Sequence, residues 1–93
     1  MIKDFRCSET ELIFYEKRSK KLPSQIQNQA LRKLQMLDYA NNISDLRVPP
    51  SNRLETLKGN RKGQHSIRIN NQWRICFVWE GSHAYKVEIV DYH

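Results

Sequence analysis

The stretch Trp73-Arg74-Ile75-Cys76-Phe77-Val78-Trp79 decides the fold. Its large apolar residues fall at alternate positions, which is the period of a half-buried β-strand and not of a helix. Trp73, Ile75, Phe77 and Trp79 therefore define a core face, and Arg74, Cys76 and Val78 point the other way. Residues 64–69 read as a second strand, with Ile67 and Ile69 on the core side and Ser66 and Arg68 opposite. Asn70-Asn71 is a turn-forming pair between the two strands. Residues 80–83 turn into a further strand over 84–90, and 54–57 is a short strand candidate on the upstream side. Together these segments predict an antiparallel meander.

Ahead of the meander the period changes. Ile26, Ala30, Leu34 and Leu37 recur at helical spacing, with Leu31 widening the stripe and Pro23 suited to the helix's first turn. Asn41-Asn42 is a stop signal, residues 43–46 add a further turn, and Pro49-Pro50 forces a loop. An earlier helix follows Ser8-Glu9-Thr10-Glu11, which fits a capping box with Ser8 as N-cap and Glu11 reaching back. Leu12, Ile13, Phe14 and Tyr15 form its apolar side, and Ile2-Lys3-Asp4-Phe5 predicts a short first strand. The fold class is thus α+β: two or three N-terminal helices packed on one face of an antiparallel-dominated sheet. The other face is expected to meet solvent and to be available for function. A chain of 93 residues makes one domain, 1–93.

The charge is unevenly placed. Residues 47–74 hold Arg47, Arg53, Lys58, Arg61, Lys62, Arg68 and Arg74 against the single acid Glu55, which accounts for the whole net charge of +6. A solvated basic surface is the plain explanation; such concentration also suits a polyanion such as RNA. Cys7 and Cys76 form no C-x-x-C pair and follow no apolar signal segment, so reduced, buried thiols in a cytoplasmic protein are expected. The longest apolar run is only a few residues, so no membrane span is expected. His65 alternates with the isoleucines and reads as a core or edge residue, while His83 falls in a turn and reads as solvated.

Cutting RNA without a metal requires a base for the 2′-OH, cations for the phosphorane and an acid for the departing oxygen. No metal-ligand spacing is present and no cofactor is implied. The candidates are Glu55, Lys58, Arg74, Asp91, Tyr92 and His93, with Arg53, Arg61, Lys62 and Arg68 as further RNA contacts. Arg74 offers a planar fork that matches two phosphate oxygens, although a cross-strand salt bridge with Glu88 is the structural alternative. Lys58 beside Gly59 supplies a compact positive charge, or else a solvated turn. His93 suits proton transfer near neutral pH, and its own terminal carboxylate favours the imidazolium. Tyr92 suits stacking on a base or bonding to phosphate; the alternative is that Tyr92 and His93 cap the sheet edge.

Leu57-Lys58-Gly59-x-Arg61-x-Gly63, Ser66-Ile67-Arg68, Trp73-Arg74-Ile75 and Asp91-Tyr92-His93 resemble the HigB-type toxins of the RelE superfamily. The likeness is strong from Arg53 onward and weaker over the helices. It implies a RelE-like fold and an endoribonuclease that cuts mRNA in the A site of the ribosome, on its small subunit; by the metal-independent acid–base scheme above, attack of the 2′-OH should leave a 2′,3′-cyclic phosphate. It implies as partner a helix-turn-helix antitoxin, HigA-like, with operator DNA bound only through the toxin–antitoxin complex. The family's functional positions fall on Lys58, Arg74, Asp91, Tyr92 and His93. Some relatives carry a histidine where this chain has Glu55, which leaves the general base open among Glu55, Asp91 and His93. Two rivals are a toxin of the same fold acting on DNA gyrase, which typically lacks the Asp-Tyr-His ending, and a non-enzymatic RNA-binding module.

Overall fold

The computed structural model describes residues 1–92. Its elements are α1 (Ser8–Phe14), α2 (Ser24–Tyr39), β1 (Glu55–Thr56), β2 (His65–Arg68), β3 (Trp73–Glu80) and β4 (His83–Asp91), with 3-10 turns at Ile43–Arg47, Pro50–Asn52 and Gly59–Arg61. The strands form one antiparallel sheet in sequence order, as a meander must. Ile67, Ile75 and Ile89 stand abreast in its register and are buried beneath the helices. The α2 stripe of Ile26, Ala30, Leu34 and Leu37 packs into the same core, with Ile13 from α1. Each such large side chain contributes about 1.5–3 kcal/mol on leaving water. Trp73 and Trp79 flank this core and are partly buried, so the apolar alternation of residues 73–79 is realised along β3.

Four expectations are corrected. Pro23 caps α2 from one position outside it. Ser8 is the first helical residue of α1, whose N-cap is Cys7 without a side-chain cap, so the Ser8–Glu11 box does not form. The backbone explains this: Arg6 N is bonded to Val87 O at 3.0 Å, and the helix begins as soon as the chain leaves that contact. Ile2–Phe5 makes two isolated parallel bridges to β4, Ile2 with Ala84 and Phe5 with Val87, and not a strand of the sheet. His83, expected in a solvated turn, opens β4 half-buried, and its Nδ1 is enclosed without a hydrogen-bond partner among the described residues. His65 is half-buried against the Phe77 ring, as an edge histidine should be, and burial holds its pKa below the ordinary value.

The N-terminal bridges are spaced by a bulge in β4. Cys76 faces Glu88, but Val78 faces Tyr85, so β4 carries one extra residue opposite Phe77. Lys86 takes the left-handed conformation there (φ 53°), and Asp4 closes the bulge by accepting from Lys86 N through its side chain and from Val87 N through its carbonyl. The bulge shifts the alternation: Ala84 lies on the core side before it, Val87 and Ile89 after it.

The second sheet face is not open throughout, contrary to expectation. Ser66 and Cys76 are fully buried, and Leu57 and Arg74 nearly so. The β1–β2 connection folds over this face, and its Arg61 reaches Glu88 at 3.3 Å, which Arg6 also approaches at 3.5 Å. The Cys76 thiol is pushed up by burial, while Cys7 is only half-buried; both are free thiols. Among the described residues no helix is long and apolar enough to cross a membrane.

A polar tether joins α2 to the Pro50–Asn52 turn. Lys33 Nζ donates to Asn52 Oδ1 at 2.5 Å, and Asn52 Nδ2 donates to Leu46 O at 3.1 Å. Asn52 is fully buried. Asn52→Ala should cost about 2 kcal/mol in urea unfolding, since it strips a buried ammonium of its acceptor. Adding Lys33→Met should restore part of that loss. An unchanged urea midpoint for Asn52→Ala would show that the tether contributes nothing.

Candidate functional site

Strand alternation and register collect the site on the face opposite the helices. Glu55, Ser66, Cys76 and Glu88 make one row across the sheet, and Arg68, Arg74 and Val90 make the next. Arg74 is the centre. Its side chain is 8% exposed, yet its charge cannot be shed, so it must be bonded. Nε donates to Ser66 Oγ at 2.8 Å, and Nη2 donates to Arg53 O at 2.5 Å. Nη1 lies 3.8 Å from the Glu55 carboxylate. The Tyr92 ring centroid is 5.6 Å from the guanidinium carbon, within range of a cation–π contact.

Arg53 is placed for its part by backbone strain. It ends the Pro50–Asn52 turn in the left-handed region (φ 44°, ψ 57°), which costs a non-glycine residue roughly 1–2 kcal/mol. In that conformation its carbonyl meets Arg74 while its side chain lines the cleft. The cleft has a volume of about 320 Å³ and is lined by Arg53, Glu55, Arg68, Asn70, Asn71, Arg74 and Tyr92. Among the described residues, three guanidinium groups stand against one half-exposed carboxylate, which makes an anion-attracting hollow with Glu55 as its carboxylate proton acceptor.

Five residues singled out from sequence thus converge: Arg53, Glu55, Arg68, Arg74 and Tyr92. Others stand apart. Lys58 and Lys62 are exposed on the β1–β2 connection, outside the cleft lining, and Arg61 is engaged by Glu88 and Gln64. Asp91 is the register partner of Trp73, and alternation turns it to the face away from Arg74, where it accepts from Gln72 Nε2 at 3.0 Å. His93 lies outside the described residues. The Arg74–Glu88 bridge weighed as an alternative does not form: Arg74 pairs with Glu55, while Arg6 and Arg61 take Glu88. Sequence reasoning passed over Ser66, Asn70 and Asn71 as site residues. For Ser66 the signal was present: a small hydroxyl on the arginine side of an otherwise isoleucine-bearing strand.

Two helices on a four-stranded antiparallel sheet, with such a cleft on the far face, define a RelE-like toxin fold. The YoeB–YefM complex from Staphylococcus aureus contains a chain that superposes with a TM-score of 0.61 at 19% identity, covering 100% of this chain and 95% of that one. More particularly, the protein belongs to the HigB-like family: residues 3–93 match the model for the RelE-like toxin of type II toxin–antitoxin system HigB. It is 54% identical to Toxin HigB-1 of Vibrio cholerae over 68 residues, 71% of this chain and 72% of the relative. It is also 33% identical to Endoribonuclease HigB of Proteus vulgaris over 93 residues and the full length of both.

Ser66→Ala removes the acceptor of Arg74 Nε inside a dry site. The expected cost is about 1–3 kcal/mol, read from urea unfolding, with far-UV circular dichroism unchanged. Wild-type stability would show that Ser66 does not hold the guanidinium.

Proposed function

We propose that this toxin is a ribosome-dependent mRNA endoribonuclease that cuts by metal-independent acid–base chemistry. The observation that carries the reading is the buried Arg74 fork with its Nη1 edge beside Glu55 in an arginine-lined cleft. The full-length likeness to a relative named Endoribonuclease HigB supports it. The scissile phosphate docks against Arg74, whose charge stabilises the phosphorane. Glu55 accepts the 2′-OH proton: among the described residues it is the carboxylate in the cleft lining, whereas Asp91 is turned to the other sheet face. The 2′-oxygen attacks the adjacent phosphate, the 5′-oxygen leaves with a proton from His93, and a 2′,3′-cyclic phosphate remains. Tyr92, already stacked on Arg74, packs against the base beside the cut or bonds to phosphate.

Arg53 and Arg68 hold the backbone on either side of the bond. Lys58, Arg61 and Lys62, on the neighbouring connection, contact ribosomal or messenger phosphates farther out. The ribosome contributes alignment, which in well-oriented reactions supplies a large part of the rate. The protein acts in the bacterial cytoplasm and pairs with a HigA-like helix-turn-helix antitoxin, operator DNA being bound through that complex. The YoeB–YefM likeness, itself a toxin–antitoxin assembly, agrees with such pairing.

Glu55→Gln keeps shape and hydrogen bonding while removing the base. Single-turnover cleavage of mRNA on programmed ribosomes should fall about 10²-fold or more, with thermal stability retained. Undiminished cleavage would pass the base to another group. Deleting His93 should also slow cleavage by about 10²-fold. An absence of new mRNA 3′ ends with the intact protein, beside loss of supercoiling in a gyrase assay, would overturn the nuclease reading.

A further inference from the structure

The cleft has a neighbour. A second hollow of about 240 Å³ is lined by Gln29 and Lys33 of α2, Ser51, and Ile69 with the Asn70-Asn71 turn. Arg68, Asn70 and Asn71 line both hollows, so the two meet over the end of β2. Each is at or below the lower end for a small-ligand site, roughly 300–1,000 Å³, so each suits one small unit of a longer ligand.

Lys33 is what gives the second hollow its chemistry. Its residue surface is 9% exposed, and an ammonium carries three donors. Among the described residues its one hydrogen-bond acceptor is the neutral Asn52 side chain, and no carboxylate pairs with it. A buried cation without a counter-ion is costly, and an arriving anion offsets that cost. Burial and the nearby Arg32 already hold its pKa below the ordinary lysine value, as expected of an amine without an anion. Arg68, on the ridge between the hollows, bonds to Asn71 and so is held there.

We infer that the hollow at Lys33 is a second nucleotide subsite, taking the phosphate of a residue next along the same RNA strand that lies in the Arg74 cleft. Arg68 sits between successive phosphates and serves both. The strand therefore runs around the end of β2 from the sheet face to α2. This inference rests on the cleft being an RNA site, and deepens that reading.

The test uses the full-length toxin and uncleavable 2′-O-methyl oligoribonucleotides without ribosomes, comparing a trinucleotide with a nucleoside 3′-monophosphate. Lys33→Met should weaken trinucleotide binding roughly tenfold and lower the slope of log affinity against log salt by about 0.7, the value for one phosphate contact on a single strand. Binding of the monophosphate, which fills only the Arg74 cleft, should be unchanged. Gln29→Glu keeps Lys33 and Asn52 and sets a carboxylate in the hollow, one helical turn before Lys33, where it competes with an arriving phosphate for the ammonium; it should weaken the trinucleotide selectively as well. Equal trinucleotide affinity for wild type and both variants overturns the inference while leaving the cleft reading intact. A Lys33 effect seen only on ribosomes, and not on free RNA, also overturns it, since the anion is then ribosomal RNA. Absence of any oligonucleotide binding by the wild type also overturns the inference, whereas the RNA-site reading itself falls only if cleavage on programmed ribosomes is absent.

Discussion

A guanidinium held inside a small protein dictates much of what surrounds it. Arg74 cannot lose its charge and has almost no solvent, so donors on every edge require acceptors. Ser66 stands across the strand pair, Arg53 is bent into a left-handed turn to present its carbonyl, Glu55 faces the remaining edge, and Tyr92 covers the plane. These contacts draw on a strand, a loop, the edge strand β1 and the residue following β4. Once made, they hold the cation without help from a ligand. A phosphate arriving in the cleft thus meets a charge whose orientation has already been fixed, which is the condition under which electrostatic stabilisation is strongest.

The same constraint explains why so much of the basic segment works elsewhere. Its seven cations read as one continuous patch in sequence, but the sheet divides them. Arg53, Arg68 and Arg74 line the cleft; Arg61 is committed to Glu88, closing the β1–β2 connection over Cys76 and Leu57. That connection makes a small second core on a face that alternation alone would leave wet. A polar side chain on the solvent side of a strand is a site residue only where no loop crosses it, and the crossing is a tertiary fact. Local pattern cannot supply it.

What local pattern does supply is considerable. The α2 stripe, the strand positions and the core faces of β2 and β3 follow from periods of 3.6 and 2, which are properties of single elements. The positions of Arg74 and Tyr92 on the cleft side follow from the same parity. Misreadings occur where two segments compete for one backbone group: Ser8 loses its capping role because residue 6 is bonded to β4, and β4 changes phase because Asp4 secures its bulge. Both depend on contacts between residues about 80 apart in sequence, from the chain's first few residues to β4. The resemblance to a known family supplied the site's membership, including Lys58 and Asp91, but the geometry sorts those members into different places.

Asp91 and Tyr92 show why that sorting matters for chemistry. Adjacent residues on a strand face opposite ways, so Asp91 and Tyr92 cannot both turn to one cleft while the ladder continues. Here the pairing persists through Asp91, and Tyr92 N still bonds to Gln72 O at 2.7 Å. Tyr92 therefore lies over Arg74 while Asp91 reaches Gln72. An aspartate in that place braces the β3–β4 edge that carries Tyr92. Among the described residues the carboxylate facing the arginines is Glu55, held on a two-residue edge strand beside the cation it pairs with. In the proposed reaction, proton acceptance and charge stabilisation come from opposite ends of one ion pair, and a phosphate docking on Arg74 would compete for the guanidinium edge that Glu55 faces. On that proposal, substrate binding would free Glu55 from its counter-ion as the proton is transferred.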